Sequence, residues 1–390
     1  MTKHGTGIEW THIPGFKGET WNPIVGCSVI SPGCTNCYAM SMAARLEKMK
    51  LQQYMGTTVP SKAGPVWTGR LNIASEQVLT KPLRWSKPRA IFVNSMGDLF
   101  HEDVLEDWVA RVFAIMALCP QHIFIVLTKR SERMRSLLSE KSDGWLLGDS
   151  SRPGTLCHEI YSAGFKVQRK LFPNRTPAEK GHELDRKWPL PNVWLGVSVE
   201  DQRRAEQRIP DLLATPAEKR ILSCEPLLGP VDLTSICNGH FFQSALNGSA
   251  WHEGPGLNKF EQDHSAAVDW VIVGGESGPG ARPMHADWAR SIRDQCAQSG
   301  LPFFFKQWGN FLPWSQYEWS NVPVETDVAN SSYETMILHS DGWWDAGYAD
   351  WMMAQQYEDG GANFMSKVGK RKAGHILDGQ EHFNWPEVSS

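Results

Sequence analysis

No apolar run in this 390-residue chain approaches the roughly 20 residues needed to span a bilayer. The opening stretch, Met1 to Trp10, lacks the apolar centre of a signal peptide. Both absences predict a cytoplasmic protein with no membrane partner. An excess of one charge is missing too: 39 basic side chains meet 43 acidic ones, for a net charge of −4. That excludes a global basic field for nucleic acid but leaves room for a local basic groove. The G-x-G-x-x-G fingerprint of dinucleotide binding is absent, and so is any internal repeat.

What is present is ordinary globular composition, 41% hydrophobic and 21% charged, ample for one large core with additions. Eight cysteines in a cytoplasmic setting read as reduced thiols or metal ligands rather than a disulfide framework. Five of them (Cys119, Cys157, Cys224, Cys237, Cys296) are scattered and read as small buried hydrophobes. Tryptophan is abundant at 18 residues, seven of them between Trp308 and Trp385. Core packing is the plainer use of such residues and base stacking the other.

Short apolar runs recur at Ala90–Asn94, His122–Leu127, Val193–Val197, Arg220–Ser223, Trp270–Val273 and Pro302–Lys306. They are rich in β-branched and aromatic residues at consecutive positions, the pattern of strands buried on both faces of a parallel sheet. Helical spacing alternates with them, through Val104–Met116, Met134–Leu138 and Trp288–Cys296, with Gly300 placed as a helix stop. An opening strand near Thr20–Val25 completes about seven units. The spacing predicts an α/β fold, a partial (β/α)6-7 TIM-like barrel over residues 1–307, preferred to a doubly wound sheet because polar residues follow the strands consistently. Two segments, about 142–191 and 237–267, read as insertions; Lys166–Lys187 in the first holds seven basic residues against three acidic. Residues 308–390, where the alternation stops, read as a Trp-rich C-terminal extension.

Cys27, Cys34 and Cys37 stand in a C-x6-C-x2-C loop just before a helical pattern. Three thiolates can hold three irons of a 4Fe–4S cluster and leave the fourth open to a ligand. Gly26 and Gly33 each precede a cysteine and ease a tight wrap. Zinc is the competing occupant, but it needs a fourth ligand, and the nearest preceding histidine, His12, stands 15 residues before Cys27. Three inert loop cysteines are the plainest reading.

This loop, after a first strand and before a βα series, resembles the radical S-adenosylmethionine (SAM) superfamily. It departs from that pattern in having six residues, not three, between the first two cysteines, and Asn36 rather than an aromatic before Cys37. Trp21-Asn22-Pro23 with Gly26–Ala39 more closely resembles an uncharacterised phage-associated family known for a three-cysteine motif and for a partner protein named after it. Gly274–Gly278, Phe305–Gly309 and the Leu377-Asp378-Gly379 end extend that resemblance over most of the chain outside the insertions.

The resemblance implies a 4Fe–4S cluster on Cys27, Cys34 and Cys37, SAM as co-substrate, and an external electron donor. Reductive cleavage of SAM would give a 5′-deoxyadenosyl radical to modify a nucleobase, nucleotide or DNA-associated substrate. In αβ barrels ligand groups gather at the C-terminal ends of strands. There Asp98 suits the SAM amine, Ser198 and Glu200 the ribose, Lys129 or Arg282 the carboxylate, and the Gly274-Gly275-Glu276 turn the nucleoside. The plainer roles are a helix cap for Asp98, a first-turn charge for Glu200, a surface ion pair for Arg282 and a tight turn for the glycines. A closing lid from either insertion is one further expectation. The non-enzyme alternative is a zinc-stabilised nucleic-acid-binding or scaffold protein using the same three cysteines.

Overall fold

The computed structural model describes residues 5–139, 155–176, 186–237, 241–251, 266–320, 333–345 and 358–388, with Leu184, Gly239 and Val322. The protein is mixed α/β, and its main sheet has seven parallel strands curled into a half-barrel. In sheet order, which is also chain order, these are β1 (Lys17–Trp21), β2 (Arg89–Val93), β3 (Ile123–Thr128), β4 (Val193–Ser198), β5 (Lys219–Cys224), β6 (Trp270–Gly274) and β7 (Phe303–Gln307). Every residue of β4 and β6 is buried, which explains their unbroken apolar runs.

All six apolar runs form strands. The opening strand starts earlier than Thr20–Val25. Lys17–Trp21 pairs with β2, while Ile24–Val25 pairs antiparallel with Asn72–Ile73. Pro23, which has no N–H to give to a ladder, stands at the break.

The longer helices among the described residues are α1 (Tyr38–Lys48), α2 (Glu106–Ala117), α3 (Ser131–Leu138), α4 (Leu156–Leu171), α5 (Gln202–Ala214) and α6 (Ala286–Gln298). The chain divides into two compact units. The first comprises Met1–Ile30, Ala39–Val197 and Asp211–Arg220. In it α2 buries Val109, Val112, Phe113 and Met116 and packs against α4. Helix α4 lies inside the segment that reads as an insertion. Its Thr155 cap accepts a hydrogen bond from the His158 amide at 3.3 Å, and Leu156, Ile160, Ala163 and Val167 form its buried stripe. Lys166, Arg169 and Lys170 are exposed on the same helix. Much of both insertions, and with it the lid expectation, lies outside the described residues.

The second unit comprises Ser31–Tyr38, Ser198–Pro210 and Ile221–Ser390. Helix α6 begins at His285, whose ring Nδ1 accepts from the Asp287 amide at 3.1 Å, and Gly300 follows its end with φ +66°. After β7 come β8 (Phe311–Pro313), β9 (Thr335–Leu338), β10 (Trp344–Asp345) and β11 (Asn363–Lys367). They form an antiparallel sheet in the order β8-β11-β9-β10. The chain end then returns to edge strand β7. The Phe305 amide donates to His382 O at 2.8 Å, and the Asn384 amide to Phe303 O at 3.3 Å. Phe383 stacks on Phe304 at 4.9 Å. This covers the edge that would otherwise be open to another strand. Of the tail tryptophans, Trp308 is core, whereas Trp343 and Trp344 are exposed. Among the described residues no helix is long and apolar enough to cross a membrane.

Candidate functional site

The loop that carries Cys27 leaves β1 through Asn22 and Pro23. Asn22 Oδ1 accepts from Ser95 Oγ at 3.1 Å and from the Met96 amide at 3.0 Å. Asn94 Oδ1 accepts from the Ile24 amide at 3.2 Å. Two asparagines thus join the end of β1 to the end of β2. Gly26 donates its amide to Met96 O at 3.1 Å. Its φ is +97°, and a Cβ there would stand 2.1 Å from the Arg70 carbonyl oxygen, so only glycine fits.

Beside Cys27, the buried side chain of Arg130 collects a polar cluster. Nη1 lies 3.6 Å from Cys27 Sγ and donates to Asp98 Oδ2 at 3.0 Å. Nη2 donates to Ser28 Oγ at 2.6 Å, and Nε meets both Glu102 oxygens at 2.9 and 2.8 Å. Asp98 also accepts from the Phe100 amide at 3.0 Å and Thr128 Oγ1 at 2.7 Å. Burial opposes the guanidinium charge, but Asp98, Cys27 and Glu102 outweigh it and lift the arginine pKa above its ordinary range. Burial, reinforced by Arg130, pushes the His101 pKa down. Its Nδ1 accepts from the Asp103 amide at 3.1 Å, so the neutral ring carries its hydrogen on Nε2 and donates to Ser28 Oγ at 2.9 Å.

In the second unit the loop Ser31–Tyr38 carries Cys34 and Cys37. A 3-10 turn, Pro32–Cys34, leads the Cys34 amide to Ser31 O at 2.9 Å. The Cys37 amide reaches Cys34 O at 3.3 Å, and Ser31 Oγ lies 3.7 Å from Cys34 Sγ. Two carboxylates hold this backbone. Glu200, 1% exposed, pairs with Arg208 Nη1 at 2.7 Å and accepts from the Gly33 amide at 3.4 Å. Glu276 accepts from Arg282 Nε at 2.9 Å and Nη2 at 2.6 Å, and from Asn36 Nδ2 at 2.9 Å. Arg282 Nη2 reaches on to Pro32 O at 2.9 Å, and Asn36 Nδ2 to Gly280 O at 2.6 Å.

The model of DUF5131, described as a protein of unknown function, matches residues 5–386. The chain belongs to the DUF5131 family. No curated protein and no solved structure matches it.

Within this DUF5131 chain the residues expected to contact SAM have protein partners. Asp98 meets Arg130 and Thr128; Glu200 meets Arg208; Arg282 meets Glu276. Lys129 gives its backbone amide to Asp98 at 3.3 Å, and the Ser198 carbonyl accepts from Arg208 at 2.8 Å. Gly274 closes β6. A Cβ on Gly275 would stand 1.9 Å from the Trp308 carbonyl oxygen, so the close approach this glycine permits is to its own chain. Sequence reasoning passed over Arg130, His101, Ser28, Glu102 and Arg208. Arg130 directly follows Lys129 in the polar residues after β3.

The eight cysteines, all within the described residues, form no disulfide, and Cys27, Cys34 and Cys37 are each partly exposed. Their soft donor set suits iron–sulfur or zinc, and Arg130, 3.6 Å from Cys27 Sγ, would offset negative charge there. Among the described residues no three His, Cys, Asp or Glu side chains are gathered closely enough to hold a metal ion.

Proposed function

We propose that this DUF5131 protein is an iron–sulfur enzyme of the radical SAM type, with Cys27, Cys34 and Cys37 as cluster ligands. The observation that carries the reading is the buried Arg130 guanidinium 3.6 Å from the sulfur of Cys27, in a loop that supplies two more thiols within ten residues. A cation in that position would stabilise thiolate and cluster charge. The curled parallel sheet supports the partial TIM-like barrel, with polar side chains at strand ends where barrel enzymes place their ligands. When bound, the cluster supplies the electron that cleaves SAM reductively. The chain's own part is to fix the loop through Glu200 and Glu276 and to set the charge around Cys27 through Arg130 and Asp98.

The substrate class that goes with this reading is a nucleobase, nucleotide or DNA-associated group. Exposed Lys166, Arg169 and Lys170 on α4 and the Lys370–Lys372 turn would suit phosphate. Anaerobic purification with metal analysis separates the reading from its zinc alternative. About four irons per chain with acid-labile sulfide supports the enzyme; zinc in colourless protein supports a scaffold. With SAM and dithionite, the wild type is expected to release 5′-deoxyadenosine and Cys34→Ala to release none. Iron-loaded wild type that leaves SAM intact would overturn the radical chemistry.

A further inference from the structure

We infer that Arg130 is a positioning residue that sets the reduction potential of the metal–sulfur centre through the sulfur of Cys27. The inference rests on the iron–sulfur reading above and names a device of this chain that the cysteine motif does not contain.

The guanidinium is fixed from several sides. Nε is held by Glu102, Nη2 by Ser28 and Nη1 by Asp98, and Nη1 is also the nitrogen that faces Cys27 Sγ at 3.6 Å. Only 3% of the side chain is exposed, so water screens its charge weakly. Two of the holders are braced in turn. Thr128 Oγ1 and the Phe100 and Lys129 amides hold Asp98, and neutral His101 holds Ser28. The fork therefore cannot swing away from the sulfur without breaking these bonds.

Hydrogen bonds and positive charge at a ligating sulfur favour the reduced, more negative state of a cluster and raise its potential. A higher potential makes the centre easier for an external donor to reduce. Two carboxylates oppose the effect, and they differ. Asp98 is buried, whereas the Glu102 side chain is 60% exposed. Neutralising Glu102 therefore leaves the buried contacts standing while removing a counter-charge from Arg130. That predicts opposite shifts from two residues that touch each other.

The test uses the full chain reconstituted anaerobically with iron and sulfide, its midpoint potential read by dithionite titration followed by electron paramagnetic resonance. Arg130→Gln is expected to shift the midpoint negative. Arg130→Lys, which keeps the charge and loses the fork, should fall between it and wild type. Glu102→Gln is expected to shift the midpoint positive. A role confined to packing would not produce shifts of opposite sign. If Arg130→Gln fails to fold by circular dichroism, the Arg130→Lys and Glu102→Gln pair decides. Loaded clusters with unchanged midpoints, or with both shifts of one sign, overturn the inference and leave the iron–sulfur reading intact. Wild type that takes up no iron overturns that reading and this inference with it.

Discussion

Cys27, in the first unit, has a buried cation against its sulfur; Cys34 and Cys37, in the second, sit on backbone held by carboxylates. Arg130 acts on the Cys27 sulfur itself. Glu200 and Glu276 act on the chain that carries Cys34 and Cys37, through the Gly33 amide, the Pro32 carbonyl contact of Arg282 and the Asn36 side chain. One arrangement sets charge and the other sets geometry. A single loop thus places two kinds of demand on residues that come from the ends of different strands.

The comparison is tested most severely at Glu200. Its pair with Arg208 is almost fully buried, at 1% and 6% side-chain exposure. Glu200→Gln leaves a buried guanidinium without its counter-ion, and the expected loss is about 3–5 kcal/mol by urea denaturation. Glu276→Gln should cost less, about 2 kcal/mol, because charge-assisted hydrogen bonds are lost while water still reaches the partly exposed Arg282. Faster amide exchange at Cys34 and Cys37, with none at Gly26 and Cys27, is the expected signature of a geometric clamp. Equal acceleration on both sides would erase the distinction drawn between the units. Glu102→Gln should change stability by less than about 1 kcal/mol, since its carboxylate is mostly in water. A large loss there would show that Arg130 serves folding more than charge.

How far the sequence reaches is visible at particular residues. Consecutive apolar positions located six strands because β4 and β6 are buried on both faces. The opening strand was displaced because alternation alone does not reveal where Pro23 ends a ladder. Helix α4 escaped notice because Gly, Pro and charged neighbours dilute a stripe that Leu156, Ile160, Ala163 and Val167 nevertheless carry at helical spacing. The cysteine spacing was legible outright, and so was the gathering of polar residues at strand ends. Choosing between Lys129 and Arg130 was not. Lys129 gives Asp98 its backbone amide and Arg130 gives it the guanidinium, a difference that two adjacent basic residues after a strand do not show in sequence. Nor does sequence say that Glu200 meets an arginine eight positions onward, since that depends on how α5 follows β4. Carboxylates at strand ends look alike whether they await a ligand or hold a loop.

Acid should weaken both units, and this is the smallest effect expected. His122 in the first unit and His285 in the second are fully buried, and burial pushes each imidazole pKa below its ordinary value. Below pH about 6.5 the unfolded chain binds protons that the folded one does not, so stability is complete above that value and declines as pH falls through the folded pKa. His122→Phe removes one of these groups while keeping an aromatic ring against Phe124 and Trp85. Its melting temperature should therefore fall less steeply on acidification, even if lower at neutral pH for want of the Pro82 carbonyl contact. His285 is untouched in that variant. If the units unfold independently, calorimetry will show the flattened acid limb in one transition only; if they unfold together, the single transition will flatten by the share of one imidazole.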